Sequence, residues 1–197
     1  YKSFLLDSNT PKNSNRTIYD ALASKYGMSP EEAKKMTASV AARAQEVGLV
    51  YDFDSMKEAN TLNAHRLAKL AAKHQVDDSY NEMTMKAYFT EGLQIGDEAV
   101  LKQLALAAGL PAQEVDEILQ NNQFIEEVEV DIQQAAHLGV RGVPFFVFEN
   151  KYAISGAQPL DVFAQAIEQT ANDLGLRKKV EIVGSVGASC TADKCDF

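Results

Sequence analysis

Cysteine is nearly missing from this chain: of 197 residues only Cys190 and Cys195 are thiols, and both fall at the C-terminal end. Two thiols at one end are no scaffold for a disulfide-knit mini-protein, so the core has to be held by burial. Basic residues are scarce as well. Lys and Arg number 19 against 28 Asp and Glu, and the net charge of −9 speaks against nucleic acid or an anionic membrane surface as partner. No apolar run approaches the roughly 20 residues that a membrane-spanning helix needs. Eleven glycines and five prolines are too few for a fibrous or low-complexity chain. An initiating methionine is also absent. The chain opens "YKSFLL", which reads as the middle or end of a strand with no turn signal before it. The expectation is a fold whose first element lies ahead of Tyr1.

What is present is globular. Hydrophobic residues make up 46% of the chain, and at this length one domain, alone or with an insertion, buries roughly 70% of its unfolded surface. After "YKSFLL" comes "DSNTPKNSNRT", a polar loop. "MSPEEAKKM" carries a strong helix start, with Ser29 as cap, Pro30 at the first helical position and Glu32 completing a capping box. That helix runs to about Val47 and stops at Gly48, and "LVYDF" follows as a short extended stretch. Asn60 or Thr61 caps the next helix, where Ala64, Leu67, Ala68 and Ala71 form an apolar stripe with Leu70 beside it. Residues 78–91 continue helically with Met83, Ala87 and Tyr88 on one face. Asp97 caps a helix buried through Leu101, Leu104, Ala105 and Ala108 and ended by Gly109. "PAQEVDEILQ" and "FIEEVEVDIQQAAHLG" add two more, the second with its carboxylates near the positive end of the helix dipole.

The C-terminal third differs. "PFFVF" and "YAISG", separated by "ENK", suit an antiparallel hairpin. Pro159 then starts a helix with Leu160, Phe163, Ala164 and Ile167 on one face. The order of elements is strand, helical block, proline loop, hairpin and helix. With one strand and helix added in front, that is an α/β, thioredoxin-like fold carrying an inserted all-helical domain. Residues 1–10 and 138–176 form part of the thioredoxin-like domain, 28–137 the helical insertion, and 177–197 a C-terminal tail with the cysteine pair.

Three segments, "ANTLNAHRLAKLA", "YFTEGLQIGDEAVL" and "GVRGVPFFVFENKYAISGAQPLDVF", together resemble the FrnE-like branch of the DsbA family of thiol–disulfide oxidoreductases. The resemblance spans most of residues 1–172. The 2-hydroxychromene-2-carboxylate isomerases and kappa-class glutathione transferases share the architecture but not "GVPFFVF" followed by "SGAQP". It implies a Cys-x-x-Cys pair at a helix N-terminus upstream of Tyr1, where the dipole and backbone N–H groups lower a thiol pKa.

The resemblance also implies that Pro144 is cis and that its loop lies against the reactive cysteine. Val143 would then offer its backbone to an extended substrate strand by β-type pairing. On the residues alone, Pro144 reads as a trans proline at a strand edge. Gly142 fits a backbone that approaches a partner closely. In glutathione-using relatives the turn matching "SGAQP" lies near the ligand, which makes Gln158 and Ser155 binding candidates. Ser155 as a turn former and Gln158 as the cap of the last helix are the plainer roles. Asn60 and His65 begin a helix that, in the resembled family, faces the active-site cleft. A cap and a hydrogen-bonded core histidine are the plainer roles here. His74 and His137 show no partner pattern, and no metal-ligand spacing occurs, so no metal is expected.

Cys190 and Cys195 are four residues apart in the intervening sense and can close a small disulfide if the backbone turns back to bring the Cα atoms to about 5.5 Å. Some FrnE-like proteins carry a second, C-terminal pair, which makes this one a candidate auxiliary redox site suited to thiol exchange. The function expected is protein disulfide oxidation, reduction or isomerisation in the cytoplasm, on disulfide-containing proteins or peptides. No cofactor is expected, with glutathione as a candidate co-substrate. Two alternatives stay open. One is a glutathione-dependent isomerase or transferase acting on a small aromatic compound, and the other a redox-inactive peptide-binding module.

Overall fold

The computed structural model describes residues 1–12 and 14–176. The chain divides into two compact units, Tyr1–Arg141 and the residues from Gly142 on.

The first unit is helical. Its first helix, α1 (Ile18–Tyr26), has no counterpart in the sequence pattern. It is short and buries only Ala23, so no apolar stripe announces it; Thr17 caps it by accepting from the Asp20 N–H. α2 (Pro30–Glu46) begins as the sequence predicts. The Ser29 hydroxyl accepts from the Glu32 N–H at 3.2 Å, and the Glu32 carboxylate accepts from the Ser29 N–H at 2.8 Å.

α3 (Leu62–Lys73), α4 (Asp77–Phe89), α5 (Glu98–Ala107), α6 (Ala112–Gln120) and α7 (Ile125–His137) build the rest. α3 is the central element, packed against each of the other four. Leu67, Leu70 and Ala71 are fully buried there, and Ala68 is only partly covered. Leu70 therefore belongs to the core and Ala68 to its margin, the reverse of the sequence reading. On α4 the buried anchor is Tyr80, alongside the expected Ala87; Met83 and Tyr88 pack from the edge. Leu101 and Ala105 of α5, with Val115 and Ile118 of α6, complete the core.

Neither the segment expected to be a strand nor the one expected to be a short extended stretch pairs as a strand among the described residues. "YKSFLL" is irregular, because the Ser3 N–H is taken by the Asp131 carboxylate and no neighbouring strand pairs with it among the described residues. "LVYDF" runs irregularly into a turn at Phe53. The Asp52 N–H donates to the Phe89 carbonyl and the Thr90 hydroxyl to the Val50 carbonyl, which pins that loop to the end of α4.

The second unit holds the hairpin expected from "PFFVF" and "YAISG". β1 (Phe145–Phe148) pairs antiparallel with β2 (Tyr152–Ser155), with Phe145 opposite Ser155 and Phe148 opposite Tyr152. The connection places Glu149 and Asn150 in the left-handed region, at φ 49° and 52°. Asparagine visits this region at low cost. α8 (Leu160–Asp173) lies against both strands. Its apolar face is less buried than the periodicity implies: Phe163 meets Phe146 edge-on at 4.8 Å, but Leu160 and Ile167 are exposed. A two-stranded hairpin is too narrow to cover a four-turn helix face.

Candidate functional site

In the second unit the hairpin gathers the predicted loop residues at one end. The 143–144 peptide bond is cis. Just past the register of the two strands, the Pro144 carbonyl accepts from the Gly156 N–H at 2.9 Å. That bond sets the Gly142–Val143–Pro144 segment beside the Ser155–Gln158 turn. Val143 is 53% exposed, and its N–H and C=O have no partner among the described residues. An open N–H and C=O at the start of a strand is the arrangement that pairs with an incoming extended chain.

A Cβ built on Gly142 meets nothing of the chain itself within 4 Å. One sequence reading of this loop changes. Gln158 does not cap α8, whose cap position is Pro159 with no side-chain hydrogen bond. Its amide instead donates back to the Ser155 carbonyl at 2.9 Å and closes the turn.

Asn60 and His65 lie in the first unit, where each holds the irregular N-terminal segment. The Asn60 amide donates to the Thr10 carbonyl at 2.6 Å, and its carbonyl oxygen accepts from the Leu62 N–H at 3.1 Å. Of the two expected cap residues, Thr61 holds the cap position of α3 without a side-chain bond, and Asn60, one residue earlier, bonds the first helical N–H and adds the long-range bond. The Phe4 backbone faces the His65 imidazole and favours its charged form. Burial is the main influence holding its imidazole below the usual value, with Lys69 acting in the same direction.

One turn along α3, Lys69 donates to Asp131 of α7. The Asp131 side chain is 2% exposed and also takes the Ser3 N–H at 2.8 Å and the Lys2 ammonium at 2.9 Å. Burial pushes its carboxyl up, but the hydrogen bonds from Lys69, Ser3 and Lys2 outweigh that and hold it below the usual carboxylate range. Sequence reasoning missed this centre. Its one local signal is a carboxylate three residues after the buried Val128, on the inner face of α7.

His74, for which no partner was expected, meets Glu114 at 3.0 Å, and the His137 ring bonds the Gln133 carbonyl. Among the described residues no cluster of three or more His, Cys, Asp or Glu could hold a metal ion, and no helix is long and apolar enough to cross a membrane. Cys190 and Cys195 lie outside the described residues.

Comparison with known proteins bears directly on this architecture. No curated protein matches the sequence. Among solved structures, a probable DsbA oxidoreductase from Streptomyces coelicolor is 33% identical, with a TM-score of 0.82 over 100% of this chain and 82% of that one. The family model of the DSBA-like thioredoxin domain matches residues 1–168. A helix-rich body, a small antiparallel sheet and a proline loop leading into the hairpin are thus the DsbA-like thioredoxin fold, and the chain belongs to the DSBA-like thioredoxin domain family of thiol–disulfide oxidoreductases.

Proposed function

We propose that the protein exchanges thiols and disulfides with polypeptide substrates docked as an extended strand on Val143, in the manner of the FrnE-like branch. The observation that carries this reading is the exposed Val143, its main chain without partner among the described residues, at the start of the hairpin of a DsbA-family chain. One main-chain pair fixes the position of a substrate without demanding a particular side chain, which suits an enzyme that meets many sequences.

In the reducing direction a thiolate attacks one sulfur of a substrate disulfide. A mixed disulfide forms and the other substrate sulfur leaves as a thiolate. A second thiolate on the protein then attacks the mixed disulfide, releases the substrate's remaining sulfur and closes a protein disulfide. Two glutathione molecules restore the dithiol by forming one oxidised glutathione. The oxidising direction is the same sequence reversed, and the potential of the surrounding couple decides between them. Cys190 and Cys195 are assigned as an auxiliary pair that exchanges with the attacking dithiol. Gln158 and Ser155 shape the neighbouring turn.

The test is insulin disulfide reduction by the whole natural polypeptide under a glutathione buffer, with the Cys190→Ser/Cys195→Ser variant beside it. Turnover above the uncatalysed rate is expected, and slower turnover in the variant. No turnover from the natural polypeptide overturns the reading; turnover unchanged in the variant removes the auxiliary role.

A further inference from the structure

A second recessed surface lies in the helical unit, between α1, α2 and the loop 51–54, in a cleft of about 180 Å³. It is lined by small residues of α2, Ala38 and Ala41, and by the aromatic residues Tyr19, Tyr51 and Phe53. The volume is below the roughly 300 Å³ at which pockets for cofactor-sized ligands begin, so the space suits a single side chain.

The walls are held in place. Tyr51 stacks on Phe89 with ring centroids 4.8 Å apart, and Phe53 meets Tyr51 edge-on at 5.9 Å. The lining is also charged. Asp52 and Asp54 join it with Lys34, two carboxylates against one ammonium. Asp54 takes the Lys34 ammonium at 2.7 Å and the Tyr19 hydroxyl at 3.0 Å, and Asp52 takes the Ser55 hydroxyl and N–H. Those donors hold both carboxyls below their usual range, so both are ionised at neutral pH.

The chain itself shows what the place accepts. The Lys34 ammonium lies 5.4 Å from the centroid of the Tyr19 ring while it pairs with Asp54, a cation on an aromatic face beside a carboxylate. One cation leaves a surplus negative charge in a cleft with aromatic lining, and the chain's net charge of −9 adds to the same attraction. A planar guanidinium uses all of this better than an ammonium does, since it stacks on a ring and pairs with carboxylates in a fork.

We propose that this cleft docks an arginine side chain of a polypeptide substrate, its guanidinium on the aromatic wall and paired with Asp52 and Asp54 in place of Lys34. That the arginine comes from a polypeptide rests on the protein-substrate reading above; the charge and shape of the cleft do not. Lys34 then acts as an internal competitor, and its removal should strengthen binding.

The experiment is a titration of the whole chain with fluorescent, cysteine-free Gly/Ser peptides bearing one central arginine, lysine, norleucine or glutamate, read by anisotropy. The arginine peptide should bind about three-fold tighter than the lysine peptide, and the other two should not bind below ~1 mM. Asp54→Asn should weaken the arginine peptide about five-fold, and Lys34→Gln should tighten it about three-fold. Norleucine binding as tightly as arginine would show a merely apolar groove. Weaker binding in Lys34→Gln, or no arginine binding below ~1 mM, likewise overturns the proposal. Because the peptides contain no sulfur, a negative result here leaves insulin reduction untouched, and failure of insulin reduction leaves this titration standing.

Discussion

The carboxylate of Asp131 accepts the backbone N–H of Ser3 at 2.8 Å across 128 residues of chain. With Lys69 and Lys2 on the same carboxylate, this one side chain ties the irregular N-terminal segment to α3 and α7. Removing a buried partner strands the groups that face it, so Asp131→Ala should cost about 3 kcal/mol in urea unfolding. Asp131→Asn keeps an acceptor for Ser3 and should lose less. Equal losses for the two variants would mean that the charge carries the whole contribution and a neutral acceptor none of it.

The neighbouring His65 predicts a pH dependence. Its folded imidazole is held below 6.5, chiefly by burial, against the partial support of the Phe4 backbone and Asp131. Below the unfolded value the unfolded chain therefore binds the proton first, and stability falls as the pH drops from 6.5 toward the folded value. Asp131 acts lower on the scale. Its folded carboxyl lies below 3.8, so its contribution is full above that value and is lost as the pH falls through the folded one. Urea midpoints from neutral to acid pH should show two descents. His65→Phe should remove the upper, and Asp131→Asn should shrink the lower, to which the other lowered carboxylates also contribute. An upper descent that survives His65→Phe would assign it to another group.

Arg66 is 3% exposed and faces carbonyls where a carboxylate would be the common partner. Its guanidinium donates to the carbonyls of Ile118 and Asn121, each at 2.5 Å, and of Gln123 at 2.8 Å, and so closes the C-terminal end of α6 and the turn after it. A lysine ammonium, a single nitrogen on a flexible stem, lacks the planar fork that serves these acceptors from two nitrogens at once. Arg66→Met should cost about 3 kcal/mol by urea denaturation, and Arg66→Lys should recover less than half of that. Full recovery by lysine would reduce the role to one of charge.

Local chemistry was legible in the sequence and distant partnership was not. The capping box of Ser29 and Glu32 spans four residues of one helix start, so the pattern already contains both partners. The hairpin was equally readable, because alternation and turn residues lie within one short segment. Asn60 could be read as a helix start from Leu62, two residues on, but its bond to Thr10 depends on how a polar loop returns across the helices. Leu160 and Ile167 show the limit from the other side. Periodicity places them on one face of α8, but what covers that face is set by the width of the hairpin, which no helical pattern encodes. Arg66 and Asp131 were opaque for the same reason, since the partners named for them lie between 52 residues away, Arg66 to Ile118, and 129, Asp131 to Lys2.

Docking on the Val143 main chain predicts an unusual order among substitutions. If the backbone N–H and C=O carry the contact, the side chain is nearly irrelevant, and Val143→Ala should leave the KM for a disulfide-bearing peptide within two-fold, as expected for a group 53% exposed. Val143→Pro removes the N–H while keeping an apolar residue, and the lost main-chain bond should raise KM about five-fold. The hairpin itself reports whether the variant is folded: amide exchange at Gly156, whose N–H is held by the Pro144 carbonyl, should stay protected. With that protection intact, a larger effect from Val143→Ala than from Val143→Pro would place recognition in the side chain and remove the strand-pairing reading.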